Sequence, residues 1–425
     1  MAQTGIDGTA TRGSAQADPD ARVRRRLAAM DSLRGAAIVV VVLSHGWILW
    51  PIDWIDSHEW VRPVFRSGNF AVTIFFVVTG YLVHRSLSAH GIANMGLVLG
   101  IVRRVVRVAP VVLVAVPVVV LASGFVDDPT PSRTNGKTML HVFTYTWNWY
   151  VQTNAMESRW DLGHLWYLSV DMQAFVALTV LLYFVRRRLV AQVAVLGGLL
   201  LLLTWWRMHV AELEPVLNVL LRTTARMDAI VVGMLLGAVL ALVPRGALSH
   251  RTLSWTGGAS LVALLPLLWY CSDDQRFLHW GVTLLELDLA LLLGAIALGS
   301  GTLTSERLRP MAFLGRHSLV IYVWHYPAFA AVDARTRDWA WPPRALVALL
   351  VTVGLCVATH YLLERHVARF LTHPFWLRLR PRTPAQPSAD PRSDELRAED
   401  LSMPVGVAAT RGPASSRSPS ATLSD

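Results

Sequence analysis

Asp31-Ser-Leu-Arg34-Gly-Ala-Ala-Ile-Val-Val-Val-Val-Leu-Ser-His45 opens the first strongly apolar run of the chain, which continues through Trp47-Ile-Leu-Trp50. A stretch of this length and hydropathy is what a helix needs to cross the hydrocarbon core, roughly 20 residues at 1.5 Å each. Arg34 and His45 interrupt it. At 100° per residue, eleven residues return to nearly the same helix face, and the two side chains stand roughly 16 Å apart along the axis. Ionisable groups inside a membrane cost several kcal/mol unless they are paired or line a wet cavity, so each is a functional candidate. The bland reading is a snorkelling arginine and one hydrogen-bonded histidine. The sharper one is a pair that grips the two ends of an extended substrate, at about the reach of a pantetheine arm.

Similar runs recur. The expected fold is all-α: a polytopic transmembrane bundle of about ten spans, near 32–50, 69–88, 105–124, 163–185, 189–206, 226–243, 253–270, 281–300, 312–332 and 344–363. The chain is 53% hydrophobic and only 16% charged, too few charges for a soluble domain of this size. The third span is the weakest, with Arg107 and Pro110 at its start. Residues 1–24 and 373–425 are polar and read as disordered cytoplasmic tails flanking a membrane domain over 25–372. No small-residue cleavage site follows the first run, so it is expected to stay as an anchor.

The net charge of +10 would suggest nucleic acid in a soluble protein. Here the arginines fall between spans. Arg22 to Arg26, Arg85 with Arg103 and Arg104, Arg186 to Arg188, Arg307 with Arg309, and Arg365 with Arg369 alternate with acidic loops such as Asp53 to Glu59, Glu212 with Glu214, and Asp273 with Asp274. Positive loops stay inside, which places both termini in the cytoplasm of a multi-pass cell-membrane protein. No nucleic-acid partner is expected. Cys271 and Cys356 have no metal or redox spacing, and no metal is expected.

Further polar residues sit inside the spans. Arg103 and Arg107 share a face, with Arg104 beside them, as ordinary positive-inside charge or as a phosphate clamp. His164, Trp166, Ser169, Asp171 and Gln173 cluster at one end of the fourth span. Arg226 and Asp228 open the sixth, either as charges that neutralise each other or as part of a site. Glu286 and Asp288 lie in the eighth with no local partner. Ser318, Tyr322 and His325 line one stripe of the ninth, and His360 is four residues from Glu364 in the last. The aromatic stretch Tyr145-Thr-Trp-Asn-Trp-Tyr150 is either an interfacial belt or a sugar-stacking surface.

These segments together resemble the acyltransferase-3 family of bacterial integral membrane O-acyltransferases. Asp31-Ser-Leu-Arg34-Gly-Ala with His45 is similar to its "LDxLRGxA…H" opening, Phe75-Phe-Val-Val-Thr79-Gly80-Tyr-Leu82 to "FFxxSGFL", and Arg103-Arg104-Val-Val-Arg107-Val-Ala-Pro110 to "RRxxRxxP". Asn148-Trp149 with Trp166-Tyr-Leu-Ser169-Val-Asp171-Met-Gln173 is similar to "NW…WSLxVEEQF", Arg226-Met-Asp228 with Gly233 to "RxDxLxxG", and Leu314-Gly315 through His325-Tyr-Pro327 to "LGxxSxxxYxxHxP". Thr79, Tyr167 and Asp171-Met172 depart from the pattern.

The resemblance implies transfer of an acyl group, commonly acetyl, from cytoplasmic acyl-CoA to a hydroxyl of a carbohydrate, glycolipid or glycoside acceptor, with the donor as a substrate and no bound cofactor. On that reading Arg34, Arg104 and Arg107 hold the donor, and His45 is the general base or acyl carrier. Asp171 and His325 orient it, and Ser169, Gln173 or Tyr322 donate to the thioester oxygen. Asp31, Trp166, Arg226 and Asp228 support the site. The rival reading is a polytopic transporter or exporter, since transporters also carry intramembrane charge.

Overall fold

The computed structural model describes residues 19–90, 94–123, 134–244 and 246–372, which form helices and connecting turns with no strand among them. Ten principal helices follow the ten apolar runs: α1 Pro19–Leu49, α2 Gly68–His90, α3 Asn94–Ser123, α4 Trp166–Val185, α5 Leu189–Leu213, α6 Asp228–Leu242, α7 His250–Tyr270, α8 Val282–Leu298, α9 Ser318–Arg335 and α10 Trp341–Thr359. Among the described residues, eight segments are long and apolar enough to cross a membrane. The two helices outside that count are α6, with 15 residues, and α9, with 18. Helix α9 carries Ser318, Tyr322, His325, Asp333 and Arg335 and owes its lower hydropathy to them.

Helix α1 begins at Pro19, so residues 19–24 belong to it rather than to a tail, while residues 1–18 and 373–425 lie outside the described residues. Helix α3 starts well before the expected position near 105 and runs through both Pro110 and Pro117. A membrane helix tolerates this where neighbouring groups re-satisfy the freed carbonyls.

Two glycine pairs set the closest approaches. A Cβ on Gly35 would lie 1.9 Å from the Met311 carbonyl oxygen, and one on Gly315 would lie 1.8 Å from that of Asp31. Helix α1 and the short helix Arg309–Arg316 therefore touch backbone to backbone. Gly80 and Gly233 do the same for α2 and α6, with a Cβ landing 2.0 Å from the Ile230 oxygen and 2.1 Å from the Val77 oxygen respectively. Helices in lipid gain little from apolar burial and associate through close packing at small residues. The glycines of the "RG" and "LG" segments thus pack α1 against the short helix that leads into α9, and Gly80 of the "TG" segment packs α2 against α6.

A buried charge network ties α5, α6 and α8. The Arg207 guanidinium donates to Asp228 at 2.7 Å, to the His279 carbonyl at 2.7 Å and to Thr283 Oγ1 at 2.8 Å, and also to the Leu278 carbonyl. Glu286 neighbours Asp228, and Asp288 neighbours Ser260. Arg226 and Asp228 do not pair with each other; Asp228 takes Arg207. Residues two apart on a helix point to different sides, and Arg226 instead lies over Phe277 at 5.0 Å and reaches Thr73 Oγ1 at 3.3 Å.

The aromatic stretch 145–150 is mostly core. Trp147 and Tyr150 are buried and stacked 5.5 Å apart, the Trp147 indole donates to the Leu162 carbonyl at 3.0 Å, and Trp149 is the exposed ring. It therefore offers neither a belt nor a stacking surface as a unit.

Candidate active site

Three histidines from distant parts of the sequence meet near one end of the bundle. Helix α1 supplies His45, α9 supplies His325, and the turn Trp160–Leu165 leading into α4 supplies His164. Their ring centroids are 5.0 Å apart for His45 and His325, 5.4 Å for His164 and His325, and 6.2 Å for His45 and His164.

Hydrogen-bond partners settle which nitrogen of His45 is free. His325 Nδ1 faces the carbonyls of Ile321 at 3.0 Å and Tyr322 at 2.8 Å. A carbonyl only accepts, so His325 Nδ1 carries its proton, and in the neutral ring Nε2 bears the lone pair. His325 Nε2 lies 2.9 Å from His45 Nδ1, which must then be the donor. The Val41 carbonyl, one turn earlier on α1, accepts from His45 as well. His45 Nε2 is left with an uncommitted lone pair. His45 is half-buried, so that atom can meet a substrate.

An aromatic path leads outward from it. Tyr326 is tilted against His45 at 4.8 Å, and Trp160 meets Tyr326 edge-on at 6.1 Å while 42% of its surface stays exposed. Sequence reasoning did not assign His164 or Tyr326 to the site. Both stand next to residues it did choose, but no periodicity links positions 45, 164 and 326.

The arginines occupy the other part of the same polar column. Arg34 donates to Ser318 Oγ at 2.9 Å, stands 3.6 Å from Asp31, and has Phe75 at 6.0 Å. Arg104 forms an ion pair with Asp171 and lies 4.5 Å from the Phe175 ring centroid. Arg107 is exposed, pairs with no carboxylate among the described residues, and feels the charges of Arg34, Arg104, Asp31 and Glu364. Among the described residues, two of the three candidate donor-binding guanidiniums therefore have protein partners, and Arg107 does not.

The remaining candidates are engaged with the scaffold. Asp171 holds Arg104, while the hydrogen-bond partner of His45 is His325. Both amide hydrogens of Gln173 are taken, by the Tyr145 carbonyl at 2.6 Å and Asn148 Oδ1 at 2.9 Å, and Thr223 donates to its Oε1 at 2.5 Å. Ser169 Oγ accepts from the Trp147 amide at 3.2 Å, and the Tyr322 hydroxyl donates to the His164 carbonyl. Trp166 meets Tyr167 edge-on at 6.5 Å. Ser169, Gln173 and Tyr322 thus fix the segment 145–165, and with it His164.

The chain is 26% identical over 326 residues to the peptidoglycan O-acetyltransferase OatA of Listeria monocytogenes, which covers 72% of this chain and 49% of the relative. It is 24% identical over 334 residues to the O-acetyltransferase OatA of Staphylococcus aureus, covering 73% of this chain and 52% of the relative. The chain thus spans about half the length of these curated relatives. No solved structure matches it. The family model described as the acyltransferase domain matches residues 27–361, a segment that contains the histidine cluster and the arginine column. The chain belongs to the acyltransferase-3 family.

Proposed function

We propose that the chain is a membrane O-acyltransferase that moves an acetyl group from cytoplasmic acetyl-CoA to a hydroxyl of a cell-envelope carbohydrate. The observation that carries this reading is the tautomer of His45: Nδ1 is committed to His325, and Nε2 keeps its lone pair on a half-buried ring. The acceptor hydroxyl gives its proton to His45 Nε2, its oxygen attacks the thioester carbonyl, and the C–S bond breaks. The coenzyme A thiolate leaves and takes up a proton. His325 is the positioning residue that keeps the lone pair on the reacting side. The two OatA relatives, named for O-acetylation, support acetyl as the group and a glycan as the acceptor class.

On this reading Arg107 meets the donor phosphates, since its guanidinium has no ion-pair or hydrogen-bond partner among the described residues. Arg107→Gln is expected to raise the KM for acetyl-CoA about 10- to 100-fold, the loss of one charge-assisted contact, with a smaller change in kcat. Steady-state kinetics in detergent would check it. The acceptor enters past Trp160 and Tyr326, whose rings suit the apolar face of a pyranose. Trp160→Ala should raise the acceptor KM and leave the acetyl-CoA KM unchanged, whereas Trp160→Phe should recover most of the loss.

The exporter reading drew on intramembrane charge. The buried charges Arg207, Asp228 and Glu286 lie together, and Arg207 ties Asp228 to the Leu278 and His279 carbonyls. Thermal protection of the purified chain by coenzyme A or acetyl-CoA distinguishes the two, because an exporter has no reason to bind either.

A further inference from the structure

His317, His360 and Glu364 form a second cluster, separate from the histidines around His45. His317 sits at the N-terminus of α9, and His360 and Glu364 bound a π-helical turn that extends α10. Wide turns of this kind recur at functional sites. His360 Nδ1 lies 3.0 Å and His317 Nδ1 lies 3.6 Å from the same carboxylate atom, Glu364 Oε2. The three ligand atoms lie within 4.8 Å of one another, and all three residues are partly buried.

These spacings can be set against metal geometry. Around a tetrahedral zinc ion, with bonds of about 2.0–2.1 Å, neighbouring ligand atoms stand about 3.3 Å apart. The two measured separations fall on either side of that value. Two imidazoles and one carboxylate are also the ligand set of zinc sites that keep a fourth position open. The rings stand edge-on at 5.3 Å, an orientation that lets both point a nitrogen at one centre.

We propose that His317, His360 and Glu364 bind one divalent transition-metal ion of the zinc type, with a fourth position open to water or an anionic oxygen. The site clamps the start of α9 to the end of α10. It lies in the electrostatic field of Arg107 and Asp31, through Glu364 and His317 respectively. The ion would thus secure the end of the bundle that holds the arginine column. A hydrogen-bonded clamp without metal is the competing account.

The test uses the full chain, purified in detergent and stripped with a chelator, then titrated with Co²⁺. The expected result is one saturable equivalent with the visible absorption of four-coordinate cobalt, displaced by Zn²⁺, and a rise in melting temperature on Zn²⁺ addition. His317→Gln and His360→Gln should each lower the affinity at least about tenfold and abolish the Zn²⁺-dependent melting shift. No saturable binding by the wild-type chain, or binding that persists in both variants, overturns the proposal. If His360→Gln does not fold, His317→Gln decides alone.

Discussion

Replacing His45 by Ala is expected to lower acetyl transfer about 10²- to 10⁴-fold, the usual contribution of a positioned general base. The protein should still insert and fold. His45 is half-buried and its one side-chain hydrogen bond is to His325, so its removal leaves no buried charge. The His325 variant separates two roles. His325→Ala removes the group that accepts from His45 Nδ1, while the Val41 carbonyl still interacts with the ring. The rate should fall less than for His45→Ala, and His325→Gln, which keeps an acceptor, should fall less again. A measured loss for His325→Ala equal to that for His45→Ala would mean that His325 meets the substrate itself.

The second large effect is on stability. Asp228→Ala removes the carboxylate partner of Arg207, and both side chains are essentially inaccessible, at 0% and 1%. Breaking a buried pair from one side costs about 3–5 kcal/mol because the remaining charge is stranded. Glu286 would be left as the nearby carboxylate, which moderates the loss without restoring the 2.7 Å contact to Arg207 Nε. The expected outcome is a large fall in melting temperature and in the yield of monodisperse protein. Asp228→Ala at wild-type melting temperature would contradict the structural role assigned to this network. The double variant Arg207→Met with Asp228→Leu removes both charges and should be the more stable of the two, which separates a stranded charge from a lost packing contact.

The sequence-level reading succeeded where the information is local. Apolar runs located the helices because a membrane span is defined by its own composition. Helix periodicity put Arg34 and His45 on one face, and their neighbours in space, Ser318 and His325, are residues of the stripe identified in α9. It failed where partners are chosen across helices. Asp171 is a candidate orienting partner of His45, yet Arg104 takes it from α3. Arg226 and Asp228 are adjacent in sequence and partnered apart in space. His164 reaches the site from a turn before α4, and Glu364 gathers both His317 and His360 although only His360 is its local neighbour. Helix-to-helix register, fixed by glycine contacts such as Gly35 with Met311, decides each of these pairings, and no single-helix pattern encodes it.

The central claim is that this chain transfers acetyl from acetyl-CoA to a glycan hydroxyl through His45. The most direct measurement is incubation of the purified chain, reconstituted in proteoliposomes, with radiolabelled acetyl-CoA and a cell-envelope glycan fraction. Ester-linked label released by hydroxylamine should appear on the glycan with the wild-type chain and be lost with His45→Ala. Equal labelling by the two chains, or no transfer by the wild-type chain, would contradict it.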